Sequence, residues 1–515
     1  MRCTGTVRAC NSYHLATVDR GQTGTYSDAV IKDEARAGND KDMGRSSTSI
    51  GRGRSWTRVP LSRRQVLQGL AMGGAGVALA GCNIPWPIGT GPGSSLPAGP
   101  RPFPGKPAGT DMIPQIDHVV VIMLENHSFD NVLGMLGRGN GFTLGSDGLP
   151  TATNPESGGN LVRAFHSPTP CRSFSEPDQT WNDSHESYSN GTNQGFVRAS
   201  GPAAMAYYDS SDVPFTYGLA KTFPIADQYY SSLLGQTFPN RRYLISGTSL
   251  GMINDLPAFD DVLPTVANHP PNGTIFDMLN ATGVSWKNYN YGISTLMLYP
   301  YLITEPANLG KLVGINQFYA DAASGSLPAF SLVDPDLVNF VGNSGGEGDD
   351  LQLADRFLSS IVNAVMQGPK WAKTLLVWTF DEAGGYYDHV PPPSAPVPDD
   401  VAPQLSSSDV PGSFDRYGFR VPCGVVSPYA RPEYVSHIVY DHTSVLKLVE
   451  TKWNLPAMTN RDASAADMLD MLDMSSPAFS TPPTLPTAPN PSTAAVAACE
   501  LDSAQTPPAA YVTPT

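Results

Sequence analysis

The chain reads as an α/β protein with a mostly parallel central sheet and helices on both faces. Two observations predict this fold. Short apolar runs without polar interruption recur along the chain, as strands buried on both faces require. Helical patterns stand between those runs, and strand–helix alternation builds parallel sheets. A third observation concerns function: two of the runs end abruptly in carboxylates, at the carboxyl ends of strands where such sheets gather their ligands.

The elements follow in order. Val119–Leu124 is an apolar run that ends in Glu125-Asn126, with His127, Ser128 and Asp130 close behind. "GTIFDMLNATGVSWKNYN" (273–290) predicts a helix stopped at Gly283 and then a strand. "FLSSIVNAVM" (357–366) has the spacing of an amphipathic helix. "TLLVWTF" (374–380) is a second buried strand, ending in Asp381-Glu382, with Gly384-Gly385 allowing a tight turn before Asp388-His389. "VPCGVVSP" (421–428) predicts a strand and "TSVLKLVETKW" (443–453) a helix, with Asp441 as N-cap and His442 at its start.

The ends of the chain differ from this body. "LSRRQVLQGLAMGGAGVALAGC" sets Arg63-Arg64 ahead of a moderately apolar run and closes on "LAGC". This resembles a twin-arginine export signal with a lipobox whose Cys82 would carry lipid. The apolar run, roughly 15 residues, is short for a membrane span. Residues 1–60 precede the signal, where a signal should stand first, so translation is expected to start later, at Met43. Residues 82–110 are a Pro/Gly-rich tether and 475–515 a Pro/Thr/Ala-rich tail, expected to be extended, which leaves 111–474 as the folded body.

Residues 1–81 hold 12 of the 32 basic and 6 of the 47 acidic residues, leaving 20 against 41 and a formal charge of −21. Such a surface argues against nucleic acid and against attraction to anionic lipid. Cys171, Cys423 and Cys499 remain in the body, at spacings that match no metal site and select no pair.

Two strand ends carrying Glu125, Asn126, Asp381 and Glu382 would place three carboxylates and an amide together. A divalent cation would relieve their mutual repulsion. "SSLLGQTFPNRRYLISGTS" (231–249) adds Thr237 in a constrained turn, between Gly235 and Pro239. A threonine hydroxyl is a weak nucleophile unless a base or a metal activates it.

Together, "IDHVVVIMLENHSFDNVLG", "FPIADQYYSSLLGQTFPNRRYLISGT", "TLLVWTFDEAGGYYDHVPPP", "FDRYGFRVPCGVVSPYA", "YDHTSVLKLVETKWNL" and "MTNRDASAADML" resemble the bacterial phospholipase C and acid phosphatase-type phosphoesterase family. That family includes plant non-specific phospholipases C, and the resemblance spans nearly all of 115–472. It implies an alkaline-phosphatase-like fold, and the long loops at about 138–205 and 291–345 are expected to shape the mouth of the active site. It also implies one divalent metal ion, of open identity, held by Glu125, Asn126, Thr237, Asp381 and Glu382. Thr237 would attack phosphorus and form a phosphothreonine, with His389 and His442 as candidates to protonate the leaving oxygen. Asn126, Asn240, Arg241 and His185 are the candidates on the substrate side.

Three departures from the family pattern stand out. Gln179 occupies a position that holds His in many relatives, Ala383 replaces another, and "NSGGEGDD" (343–350) replaces a His-bearing segment. The expected function is an exported, metal-dependent phosphoric ester hydrolase acting on phospholipids, lipid-anchored at the outer face of a bacterial membrane. A phosphomonoesterase, or a surface binding protein that has lost catalysis, is the alternative.

Overall fold

The computed structural model describes residues 99–513, apart from 173–176, 256–268, 338–340, 347, 502–506 and 509–510. The twin-arginine segment, Cys82 and most of the tether lie outside the described residues. Eight strands form one sheet: β1 (His118–Leu124), β2 (Ile225–Ala226), β3 (Trp286–Asn290), β4 (Leu312–Gly314), β5 (Phe330–Val333), β6 (Thr374–Phe380), β7 (Cys423–Val426) and β8 (Val435–Ser436). Their spatial order is β8-β2-β7-β6-β1-β5-β3-β4. Neighbours pair in parallel except at β7, which runs antiparallel to both β6 and β2. The mostly parallel sheet expected from the sequence is therefore present.

The two central strands show why their sequences lack alternation. All seven residues of β1 and all seven of β6 are buried, since helices cover the sheet on both sides. Six helices matter for the site: α1 (Phe129–Leu133), α2 (Trp181–Tyr188), α3 (Thr237–Ser246), α4 (Ile275–Thr282), α5 (Leu351–Gln367) and α6 (His442–Trp453). Each predicted helix has a chemical start or stop. Asp350 caps α5 by accepting from the Gln352 amide, and Asp441 closes a capping box with Ser444 on α6. Gly283 ends α4 at a φ of 70°, the left-handed geometry that glycine adopts without a Cβ penalty. Along α5, Ala354, Leu358, Ile361 and Val365 form the buried stripe.

Register decides where the site falls. β1 and β6 pair residue for residue from His118 opposite Thr374 to Leu124 opposite Phe380. Glu125 and Asp381 therefore leave the sheet side by side, and the Asp381 amide donates to the Leu124 carbonyl at 3.1 Å. β5 flanks β1 on its other edge and also ends in a carboxylate, Asp334.

The C-terminal stretch is not a free tail in the described residues. Phe479 packs on Phe223, with ring centroids 4.5 Å apart, and its carbonyl accepts from the Trp371 indole at 2.9 Å. Residues Thr493–Leu501 form a helix that carries Cys499, which is bonded to Cys171. Val512–Thr513 adds a strand to Leu161–Arg163. A few apolar side chains and one covalent bond hold a segment whose composition alone predicted an extended chain. Cys423 is buried and unpaired. Among the described residues no helix is long and apolar enough to cross a membrane.

Candidate active site

Asn126 sits just past β1 with a φ of 69°, a left-handed conformation uncommon for a residue with a side chain and one that marks functional turns. Its amide donates to Asp381 Oδ1 at 3.1 Å, so the turns after β1 and β6 lock together. Gly384 makes this approach possible. Its φ is +66°, and a Cβ there would lie 2.0 Å from the Asn126 carbonyl oxygen.

Thr237 is the first residue of α3 and is fully buried. Its hydroxyl donates to Asn126 Oδ1 at 3.1 Å. The positive end of the α3 dipole faces this oxygen and favours its anionic form. Asp381 Oδ1 also accepts from the Glu382 amide at 2.8 Å, and Glu382 Oε2 accepts from the Gly384 amide at 2.7 Å. Glu125 is buried beside Gly346, where an added Cβ would come within 2.7 Å of Glu125 Oε2. Two strand ends and one helix start thus bring Thr237 to Asn126 and Asn126 to Asp381, with Glu125 and Glu382 next to them in the chain.

The donor set fits a hard or borderline cation. Two oxygens 3.1 Å apart, Thr237 Oγ1 and Asn126 Oδ1, have the spacing of adjacent ligands at bonds of about 2–2.5 Å. Glycine at 346 keeps the space beside Glu125 open. The carboxylates are nevertheless less closely grouped than two other clusters. Among the described residues, the groups of three or more metal-ligating side chains with donor atoms within 4.8 Å of one another are Asp130–Asp388–His389 and His166–Asp209–Asp212. Glu125, Asp381 and Glu382 do not form such a group.

The structure corrects the role expected of Arg241. It is fully buried on α3 and lies among three carboxylates: 3.0 Å from Asp381, 3.5 Å from Asp334 and 3.9 Å from Glu125. It also donates to the carbonyls of Met123 and Leu124 at 3.2 Å each. Arg241 is the counter-ion that lets three strand ends deliver carboxylates to one place, with its donors spent inside the fold rather than offered to a substrate.

Asn240 is corrected likewise. Its Oδ1 accepts from the amides of Ser232 and Leu233, and its Nδ2 donates to the carbonyls of Gly235 and Gln236. It shapes the loop that carries Thr237.

The two histidines expected as acids occupy different environments. His442 is fully buried, and its Nε2–H donates to the Asp381 carbonyl at 2.6 Å. The Tyr229 hydroxyl lies 3.2 Å from its Nδ1. Burial, only partly offset by the Asp381 hydrogen bond, pushes its pKa down to about 3. His442 is therefore neutral near pH 7 and shut away from any leaving group, and it positions the Asp381 backbone.

His389 belongs to a second layer formed by the continuation of the same two turns. It donates from Nδ1 to Asp130 at 2.7 Å, and Arg420 reaches Asp130 at 3.1 Å and Asp388 at 2.9 Å. Burial alone would lower the His389 pKa, but the hydrogen bond and charge of Asp130 outweigh it and raise it. Its side chain keeps 30% exposure.

His185 lies on α2 over the Trp181 ring, with centroids 4.1 Å apart, and its Nδ1 donates to the Trp181 carbonyl. Both line a cavity of about 150 Å³ with Tyr188, Leu233 and Arg416. A smaller cleft shares Leu233 and Leu234 and reaches Gly235, Glu382 and Ala383. The two cavities are thus neighbours, separated by Leu233 and Leu234. Ala383, one of the departures from the family pattern, belongs to this lining rather than to a ligand set.

Asp349 is a buried carboxyl that the sequence did not single out. It accepts from Ser344 N, Ser344 Oγ and Gly345 N. Burial foremost, with the nearby charge of Glu125, pushes it up to about 8 against those hydrogen bonds. It is protonated near neutral pH and adds no charge beside Glu125. Asp334 was also missed, although "FSLVD" repeats the pattern of an apolar run ending in a carboxylate.

The candidate site is a buried threonine at a helix start, near carboxylates at parallel strand ends. The chain belongs to the Phosphoesterase family, whose model matches residues 116–456, and it is a hydrolase acting on phosphoric ester bonds. It is 30% identical over 433 residues to phospholipase C B of Mycobacterium tuberculosis, covering 72% of this chain and 79% of that protein. It is 30% identical over 387 residues to non-specific phospholipase C6 of Arabidopsis thaliana, covering 68% and 71%. Among solved structures, an alkaline phosphatase superfamily protein of Vibrio parahaemolyticus aligns over 72% of this chain and 73% of its own, with 10% identity and a TM-score of 0.37.

Three predictions follow from the geometry. Gly384→Ala forces a side chain into a left-handed turn at about 1–2 kcal/mol and into the Asn126 carbonyl besides, so thermal melting should fall and hydrolysis with it. Arg241→Gln leaves three buried carboxylates without their cation and should cost about 3–5 kcal/mol. Urea unfolding should show part of that loss recovered at acid pH, where the carboxylates protonate. The raised His389 pKa contributes stability that is complete below about pH 6.5 and is lost as pH rises through the folded-state value. His389→Gln should flatten that part of the melting profile between pH 6 and 9.

Proposed function

We propose that the protein is a phospholipase C-type phosphodiesterase that cleaves phospholipids through Thr237. The observation that carries this reading is the 3.1 Å contact of the Thr237 hydroxyl with Asn126, on a turn locked to Asp381. Thr237 Oγ1 attacks phosphorus in line, the glycerol-side oxygen departs, and water then hydrolyses the phosphothreonine. The Asn126 side-chain amide binds a phosphoryl oxygen, while Arg241 and His442 hold Asp381 in place. His389, partly exposed and with its pKa raised by Asp130, is the proposed proton donor to the leaving oxygen.

A divalent cation, proposed to bind Glu125, Asn126, Thr237, Asp381 and Glu382, would activate the hydroxyl and neutralise phosphoryl charge. The cavity beside Trp181 and His185 supports a diester, because its aromatic wall offers contact to a group beyond the phosphate. The relatives' names point to phospholipids in the same direction. Export by a twin-arginine signal and anchorage through a lipidated Cys82 belong to the same proposal. The Cys171–Cys499 bond supports an oxidising compartment.

Thr237→Ala should lower turnover by at least about 10³-fold, and Thr237→Ser should restore part of it. Product analysis on phosphatidylcholine vesicles should show diacylglycerol and phosphocholine. Free phosphate from small monoesters alone would identify a phosphomonoesterase instead, and an unchanged rate in Thr237→Ala would remove the enzyme reading from this site. His389→Gln should slow esters with alkoxide leaving groups far more than p-nitrophenyl esters, whose leaving group needs no proton.

A further inference from the structure

Cys171 and Arg172 lie at a junction that touches both strand ends of the site. Backbone pairing joins this segment to the loop before α5: Leu351 N donates to the Pro170 carbonyl, Arg172 N to the Asp349 carbonyl, and Gly348 N to the Arg172 carbonyl, at 2.9–3.0 Å. That loop in turn meets the end of β1. The Asp349 carboxyl holds Ser344 and Gly345, the Ser344 carbonyl accepts from the Glu125 amide at 2.9 Å, and the Gly345 carbonyl from His127 Nε2 at 3.0 Å.

The Arg172 side chain reaches the other end. It is fully buried, and its Nη2 donates to the Gly384 carbonyl at 3.0 Å, to Gln179 Oε1 at 3.1 Å and to the Pro177 carbonyl at 3.3 Å. Its guanidinium also lies 5.5 Å from the centre of the Tyr386 ring. Gly384 is the turn that locks Asp381 against Asn126. One side chain thus braces the β6 end while the backbone of the same residue braces the β1 end. Cys171, its neighbour, is bonded to Cys499 on the C-terminal helix, 328 positions away.

We propose that Arg172 is a positioning residue for the hydrolytic site, and that the Cys171–Cys499 disulfide latches it by strapping the C-terminal segment across the body. Gln179, which departs from the family pattern, accepts from Arg172 and belongs to this brace. The disulfide keeps the 170–172 segment pressed on both turns, so the strap acts on turnover although it contributes no group to the chemistry. The three acceptors converge on Nη2, at the far end of a fully buried side chain, a reach that the shorter lysine does not match.

The activity arm of the test rests on the phosphodiesterase reading; the exchange arm does not. Full-length Cys171→Ala/Cys499→Ala is compared with the oxidised wild type at a temperature where circular dichroism shows both folded. Amide exchange should quicken in peptides covering 344–350 and 380–388, and kcat should fall about 10- to 100-fold, as small misplacements of reacting groups produce, with KM little changed. Arg172→Lys, with the disulfide intact, should reproduce the kcat loss and the exchange at 380–388 while leaving 493–501 protected. That variant also decides the matter if the double variant does not fold. Exchange gains confined to 493–513, or a kcat equal to wild type in folded Arg172→Lys, would overturn the proposal. A wild type that hydrolyses no phosphodiester would sink the functional reading and leave the exchange result to judge the brace.

Discussion

The site depends on one constraint: β1 and β6 run parallel, adjacent and in register to their last residue. A slip of one residue would reverse the facing of every side chain on one strand and separate Glu125 from Asp381. Seven buried residues on each strand, six of them apolar on β1 and five on β6, hold this register, since any shift would bring polar flanking residues into the core. The hydrogen bond from Asp381 to the Leu124 carbonyl extends the ladder one step past the sheet. The chemistry therefore begins where the packing stops.

Placing carboxylates at buried strand ends has an electrostatic consequence that the fold answers with arginine. Removing a carboxylate from water costs several kcal/mol unless it is paired and hydrogen-bonded. Arg241 meets three of them from one helix, and its remaining donors cap the carbonyls at the end of β1. Thr237 lies four residues earlier on the same helix, one turn away and on the same face. The residue that neutralises the strand ends and the residue proposed to attack are thus fixed by a single rigid element. An element of this kind aims a side chain more precisely than a loop does.

Much of this was legible in the chain. Val119–Leu124 and Thr374–Phe380 declared themselves as buried strands, and their carboxylate ends declared a site. The helices α5 and α6 were readable from periodicity, and the start of α6 from Asp441, while α5 begins at Leu351, six residues before the predicted stretch. Asp334 was equally readable, but its strand is four residues long and its apolar run is broken by Ser331, which weakens the signal. Arg241 was not readable. A charged residue on a helix is usually at the surface, and only the sheet's topology shows that α3 turns this side chain inward. His442 posed the same difficulty, because position at a helix start suggests access while burial removes it. The C-terminal segment misled by composition: its Pro and Thr content says nothing about a disulfide to a cysteine 328 positions earlier.

Bonding separates the two layers of the site. In the outer layer, Asp130 and Asp388 face one guanidinium, Arg420, and one imidazole, His389, whose charged form the layer favours. These four groups are bonded to one another, although three of them also have the spacing of a metal site. In the inner layer, Glu125, Asp334 and Asp381 gather round the Arg241 guanidinium, with Glu382 adjacent in sequence to Asp381. Asp334 accepts from Thr295 and Asn288, which turn it toward β3. Glu125, Asp381 and Glu382 are oxygen donors next to the Thr237–Asn126 contact, the ligand chemistry that a hard or borderline cation takes, and for this reason the metal is proposed beside Thr237.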